Sequence, residues 1–265
     1  MCVTIVFFDS FGDTQMKSVT MKKKHLLGVV IALLFFAACK KDNLIIEPPV
    51  VIEKPDPLEL LKDSVSYIID GKLRVQRKSE NRSNSLKNAL ANVKLDSLVK
   101  QKEYTSGDKD SVMFGRGFLF EDEERNGIEI SFLKKYNKNQ AQQQTNQGIL
   151  FIPRDKLDLL SVGERRFAMD FTRNNSQSGI VFELKGDYYG LQTNGYSSLV
   201  YHQLLKPELQ SQSKFEITSL QKLKSGKYIL EAKFNASVYR GDGTNIKKIE
   251  NGFIRIKINP ENIYF

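Results

Sequence analysis

The sequence predicts a mainly β fold, an antiparallel sandwich or open barrel with one or two short helices. Three observations lead there. Short runs rich in Val, Ile, Phe and Tyr recur between turn signals from residue 63 onward. Asp70-Gly71 separates two such runs, and this dipeptide is a strong two-residue hairpin signal. Ala232, Phe234, Ala236 and Val238 alternate with polar neighbours, the period of a half-buried strand. The 265 residues are 40% hydrophobic and 27% charged, which excludes a disordered chain, a coiled coil and a polytopic membrane protein.

Taken in order, residues 64–69 and 72–77 form the first hairpin. Residues 85–99 fit a helix through Leu86, Leu90 and Val93, or a strand through Val93, Leu95 and Val99; a helix is expected at the start. Strands follow at 112–121 and 128–136 around an acidic turn ending in Asn126-Gly127. The Asn/Gln tract 137–147 reads as an exposed loop. Residues 153–161 read as a short helix, with Pro153 in its first turn and Gly163 after its end. Strands are expected at 165–171 and 179–184, and a closing meander at 215–223, 228–239 and 246–258. There is no internal repeat, so residues 63–265 are expected to form a single domain.

Ahead of that domain lies an export signal. Basic Met21-Lys22-Lys23-Lys24-His25 precedes thirteen uncharged residues, Leu26 to Ala38. That run is too short for a membrane-spanning helix, which needs roughly 20 residues, and suits the apolar core of a secretory signal. Residues 1–20 do not belong to the signal, and Met16 and Met21 are both usable starts. Phe36-Ala37-Ala38-Cys39 resembles the lipobox of bacterial lipoproteins, although Phe36 stands where Leu is usual. The resemblance implies cleavage after Ala38 and acylation of the Cys39 thiol. Residues 39–62 carry four of the seven prolines and read as an extended tether. Cys39-Lys40-Lys41-Asp42 ahead of such a tether is similar to the start of Bacteroidota-type lipoproteins. So are the loose β patterns of residues 64–258, which resemble small all-β domains of that group without an agreed function. This likeness implies lipid anchoring at the outer membrane, on the cell surface rather than the periplasmic face.

The chemistry is mostly exclusion. The four lysines and two aspartates ahead of Cys39, taken from 40 basic and 31 acidic residues, leave 36 and 29. Once Cys39 is acylated no thiol remains for a disulfide or a nucleophile, and His202 is the single remaining histidine. One imidazole cannot build a His-based metal site. No G-x-S-x-G elbow, P-loop or G-x-G-x-x-G is present, so no catalytic residue, metal or cofactor is assigned. The acidic run 121–124 lacks the spacing of a calcium loop and reads as a solvated turn. Arg240-Gly241-Asp242 spells an integrin-type tripeptide but reads as a hairpin loop.

Three features remain as candidates. Tyr188, Tyr189, Tyr196, Tyr201 and His202 lie within one polar stretch, where tyrosine faces suit stacking on a sugar or packing in an interface; ordinary strand packing is the competing reading. Residues 72–102 hold nine basic and two acidic side chains, suited to anionic headgroups or acidic glycans, or simply to a solvated face. Ser64, Ser97 and Ser111 each follow Asp and precede an aliphatic residue, which resembles the O-glycosylation acceptor of exported Bacteroidota proteins. The expected function is a lipid-anchored, non-enzymatic binding or structural module. Its partners would be the membrane and a glycan or another envelope protein, not nucleic acid. The alternatives are a small glycan-directed hydrolase using paired carboxylates and an adhesion-associated subunit.

Overall fold

A computed structural model of the chain describes residues 56–78, 84–99, 102–143, 150–195, 206–241 and 243–261. Cys39, Tyr196, Tyr201, His202 and Asp242 lie outside them, as do residues 144–147 of the Asn/Gln tract. The described residues are mainly strand, joined by short 3-10 turns.

The first hairpin is β1 (Ser64–Ile69) and β2 (Lys72–Lys78). Asp70 and Gly71 both adopt positive φ, 50° and 72°, the geometry of a tight two-residue turn whose twist matches the strands. Next come β3 (Asn84–Leu90), β4 (Lys94–Val99) and β5 (Lys102–Ser106), then the long pair β6 (Ser111–Glu121) and β7 (Gly127–Asn137). Short β8 (Ala141–Gln143), β9 (Phe151–Pro153) and β10 (Gly163–Arg165) lead to β11 (Gly179–Lys185). The meander is β12 (Lys214–Lys222), β13 (Tyr228–Val238) and β14 (Lys247–Ile258).

One antiparallel sheet runs β10-β12-β13-β14-β1-β2-β6-β7-β11, with β3 also paired to β6. Its two ends nearly meet. β10 pairs with β12, and two residues further Phe167 bridges Ile180 of β11. There the Ile180 amide donates to Arg166 O at 2.9 Å and the Ala168 amide to Ile180 O at 3.0 Å. Gln192 adds a second link, bridging both Glu183 and Tyr239. The result is a nearly closed, barrel-like sheet, which leaves few open edges. β4 and β5 form a separate two-stranded sheet.

The interior is filled with aromatic rings rather than left as a ligand chamber. Phe182 meets Phe167, Phe215 and Phe234 at centroid distances of 5.5, 6.1 and 4.9 Å, and Phe132 meets Phe118 and Phe215 at 5.9 and 5.8 Å. All but the Phe215–Phe234 stack are edge-to-face, the arrangement that ring quadrupoles favour. Ala232, Phe234, Ala236 and Val238 all point into this core, as their alternation requires. Tyr67 and Tyr239 are buried with it, and burial raises both phenols to about 12.

Four expectations are corrected. The helix expected at the start of 85–99 is β3, because Asn84 to Leu90 pair residue for residue with Phe118 to Val112 and place Leu86 against the core. That ladder satisfies backbone groups which a short isolated helix would leave to water. The helix expected over 153–161 reduces to one 3-10 turn, Asp158–Leu160, since Pro153 ends β9 and Gly163 begins β10. The strand expected over 165–171 stops at Arg165 apart from the Phe167 bridge, and Asp170 turns the chain. In the Asn/Gln tract, Asn137 caps a 3-10 turn and Ala141–Gln143 form β8, so that part is ordered strand rather than loop.

Candidate functional site

A cleft of about 800 Å³ lies between the β3–β4 turn, the β5–β6 turn and the loop ahead of β11. Asn92, Lys94, Ser106, Asp108, Asp170, Asn174, Ser176 and Gln177 line it. The size is within the usual range for small-molecule sites, but no aromatic ring is among the lining residues.

Its walls are made rigid by local polar chemistry. Asp170 is buried, and its carboxylate accepts from the Ser176 amide at 2.7 Å, the Ser176 hydroxyl at 2.6 Å and the Gln177 amide at 3.1 Å. Its main-chain oxygen accepts from the amides of Arg173, Asn174 and Asn175. Asn175 holds φ at 52°, a left-handed conformation that asparagine tolerates better than most residues. This loop then clamps the β3–β4 turn. The Asn92 amide donates to Asn175 O and the Val93 amide to Asn174 O, while the Asn175 side chain donates to Leu90 O at 2.9 Å. On the far wall Asp108 accepts from Asn92 Nδ2 at 3.0 Å, and Asn92 Oδ1 accepts from Lys135 Nζ at 3.3 Å. The Asp110 amide, ahead of the Asn92 side chain, holds the Asp108 carboxyl below its usual range. Side-chain amide, hydroxyl and carboxylate groups of the walls are therefore held in place by the fold itself.

Sequence reasoning missed this site. Its signal was the run Asp170 to Gln177, whose Asp, Asn and Ser residues hydrogen-bond their own backbone in tight loops.

Of the candidate tyrosines, Tyr188 and Tyr189 are among the described residues. Tyr188 packs against the core, donates to Asp70 Oδ2 at 3.2 Å and lies under Arg74, which pairs with Asp187. Tyr189 is 77% exposed. Of the three serines, Ser97 is exposed on β4, whereas Ser64 and Ser111 are half-buried. The basic stretch is partly neutralised: Arg74, Lys78 and Lys87 pair with Asp187, Asp63 and Glu129. In the acidic run, Asp122 Oδ1 accepts from the Glu124 and Asn126 amides and so shapes the hairpin turn. Among the described residues, no group of three or more His, Cys, Asp or Glu is placed to hold a metal.

A second polar cluster sits on the outside of the barrel over Gly117. Ser85 donates to Glu129 Oε1 at 2.6 Å and Lys87 pairs with the same oxygen at 2.9 Å; a Cβ at Gly117 would overlap both Ser85 Oγ and Glu129 Oε1. Burial by itself would raise the Glu129 carboxyl, but the Ser85 hydroxyl and the Lys87 ammonium outweigh it and hold it below its ordinary value. A depressed carboxyl stabilises the fold above its unfolded-state value and loses that contribution as pH falls through its folded value. Glu129→Gln is therefore expected to cost roughly 1–3 kcal/mol at neutral pH. That deficit should shrink as pH drops below 4.5. Urea titrations at several pH values check it, and a deficit independent of pH would contradict the assignment.

Compared with protein-family models, with curated proteins and with solved structures, the chain matches none.

Proposed function

We propose that this protein is a lipid-anchored binding module of the cell envelope, held at the outer membrane through Cys39, with the polar cleft as its ligand site. The observation that carries the reading is the clamp between residues 92–93 and 174–175, which fixes donors and acceptors around an open cleft. Preorganised polar groups in a cleft are what a binding site needs, since ordering them on binding would cost affinity. The alternative, a glycan-directed hydrolase, draws on the same cleft, because two carboxylates, Asp108 and Asp170, line it. Against it, both Asp170 oxygens already accept hydrogen bonds from the loop, so this carboxylate is a scaffold rather than a nucleophile or proton donor.

The anchor is tested through Cys39→Ser. Wild-type protein is expected in the membrane fraction, with Cys39 acylated at the mature N-terminus by mass spectrometry. The variant is expected to be neither acylated nor cleaved at that position. An unmodified N-terminus starting elsewhere in the wild type would remove the anchor from this reading.

A further inference from the structure

Strand β2 is inverted. Its buried side chain is Gln76, whose amide donates to Asn126 O at 3.0 Å, while Leu73 and Val75 point outward and are 67% and 62% exposed. Strands of a barrel normally do the reverse, so two exposed aliphatic side chains with a buried amide call for a partner outside the fold. The neighbouring strands extend the patch. Val75 is level with Ser66 of β1, and Ser66 with Phe253 of β14; Leu73 is level with Ile68. Phe253, Ile68 and the small Ser66 are half-buried on this same outer face.

The rim is basic. Arg77 and Lys233 are exposed beside Val75 and Phe253, and Arg255 lies over the Phe253 ring at 5.3 Å. Lys248 also projects from the outer side of β14, against Glu250 and against Glu231, which pairs with Arg255, while Lys257 Nζ donates to Glu59 O at 3.1 Å. An aliphatic centre within a cationic rim is complementary to an anionic lipid surface, where headgroups meet the cations and the acyl boundary meets the aliphatic groups. The sequence adds connectivity: β1, inside this face, is the first strand after the tether.

We propose that the outer face of β2, β1 and β14 rests on the membrane as a second contact beside the lipid anchor, its partner being anionic phospholipid. This rests on the anchored reading above. The cleft is not obstructed by such a contact. β2 meets β6 at Phe120 and Glu121, whereas the cleft wall Ser106 to Asp108 precedes the other end of this 11-residue strand.

The test uses the chain from residue 39 carrying Cys39→Ser, so that any binding is independent of acylation. It is sedimented with vesicles mixing phosphatidylglycerol and phosphatidylcholine, and with phosphatidylcholine alone. Binding is expected to the mixed vesicles only and to weaken with added salt. Arg77→Glu should weaken it by roughly tenfold, Leu73→Ser with Val75→Ser should abolish it, and Lys109→Glu, the same charge change outside this face, should leave it unchanged. Circular dichroism confirms that each variant folds. Absence of vesicle binding, insensitivity to salt, or equal loss on Lys109→Glu would each overturn the proposal. So would dimerisation through Leu73 and Val75 without vesicle binding. Failure of the anchor itself is read separately, from the N-terminus of the wild-type protein.

Discussion

Phe182→Ala is expected to lower the stability of the domain by about 3–5 kcal/mol, a large part of what a domain of this size possesses. Phe182 is fully buried on β11 and its ring meets three others, Phe167, Phe215 and Phe234. Those rings come from the segment after β10, from β12 and from β13, so one side chain ties together the two ends of the sheet. Removing it leaves a cavity among strands whose paired backbones prevent collapse. Urea denaturation followed by circular dichroism measures the loss. Phe253→Ala provides the contrast, because that ring lies on the outer face; its cost should be well under half as large. A Phe182→Ala loss below about 1 kcal/mol would mean that the ring is not a core residue.

Asp170→Ala is expected to cost about 2–4 kcal/mol and to loosen the cleft. The carboxylate is the acceptor for two amides and one hydroxyl, and its removal leaves the Ser176 and Gln177 amides without partners in a part-buried loop. Hydrogen exchange should accelerate at residues 176 and 177. It should also accelerate at Asn92 and Val93, whose amides donate to Asn175 O and Asn174 O across the cleft. Asp170→Asn keeps one acceptor oxygen and should fall between wild type and alanine. If exchange rises at 176–177 but not at 92–93, the two walls are independent and the cleft is not a single preformed unit.

The legibility of this chain varies along its length for physical reasons. The Asp70-Gly71 hairpin was readable because a two-residue turn places its whole conformational demand on two adjacent residues. β13 was readable because both of its faces are specified by alternation in one continuous run. β3 was not, because its residues, Asn-Ser-Leu-Lys-Asn-Ala-Leu, carry no strong preference, and only the edge of β6 makes them a strand. The partners of Tyr188 were not legible either, because Asp70 and Arg74 lie more than a hundred positions earlier.

The amino-acid sequence by itself determined the antiparallel β class, the first hairpin, most of the closing meander and the expectation of export with an acylated Cys39. Each depends on neighbours within a few residues, where turn chemistry, period-2 alternation and an apolar run act locally. Only the tertiary structure decided that the sheet nearly closes, that β2 turns Leu73 and Val75 outward, and that Asn92 and Asn175 meet to form a cleft. Those outcomes depend on hydrogen bonds and packing between segments that are not neighbours in the chain, 81 residues apart in the contact of Asn174 with Val93. No local pattern encodes such a contact, because its stabilisation exists only once the barrel has brought both loops to the same end.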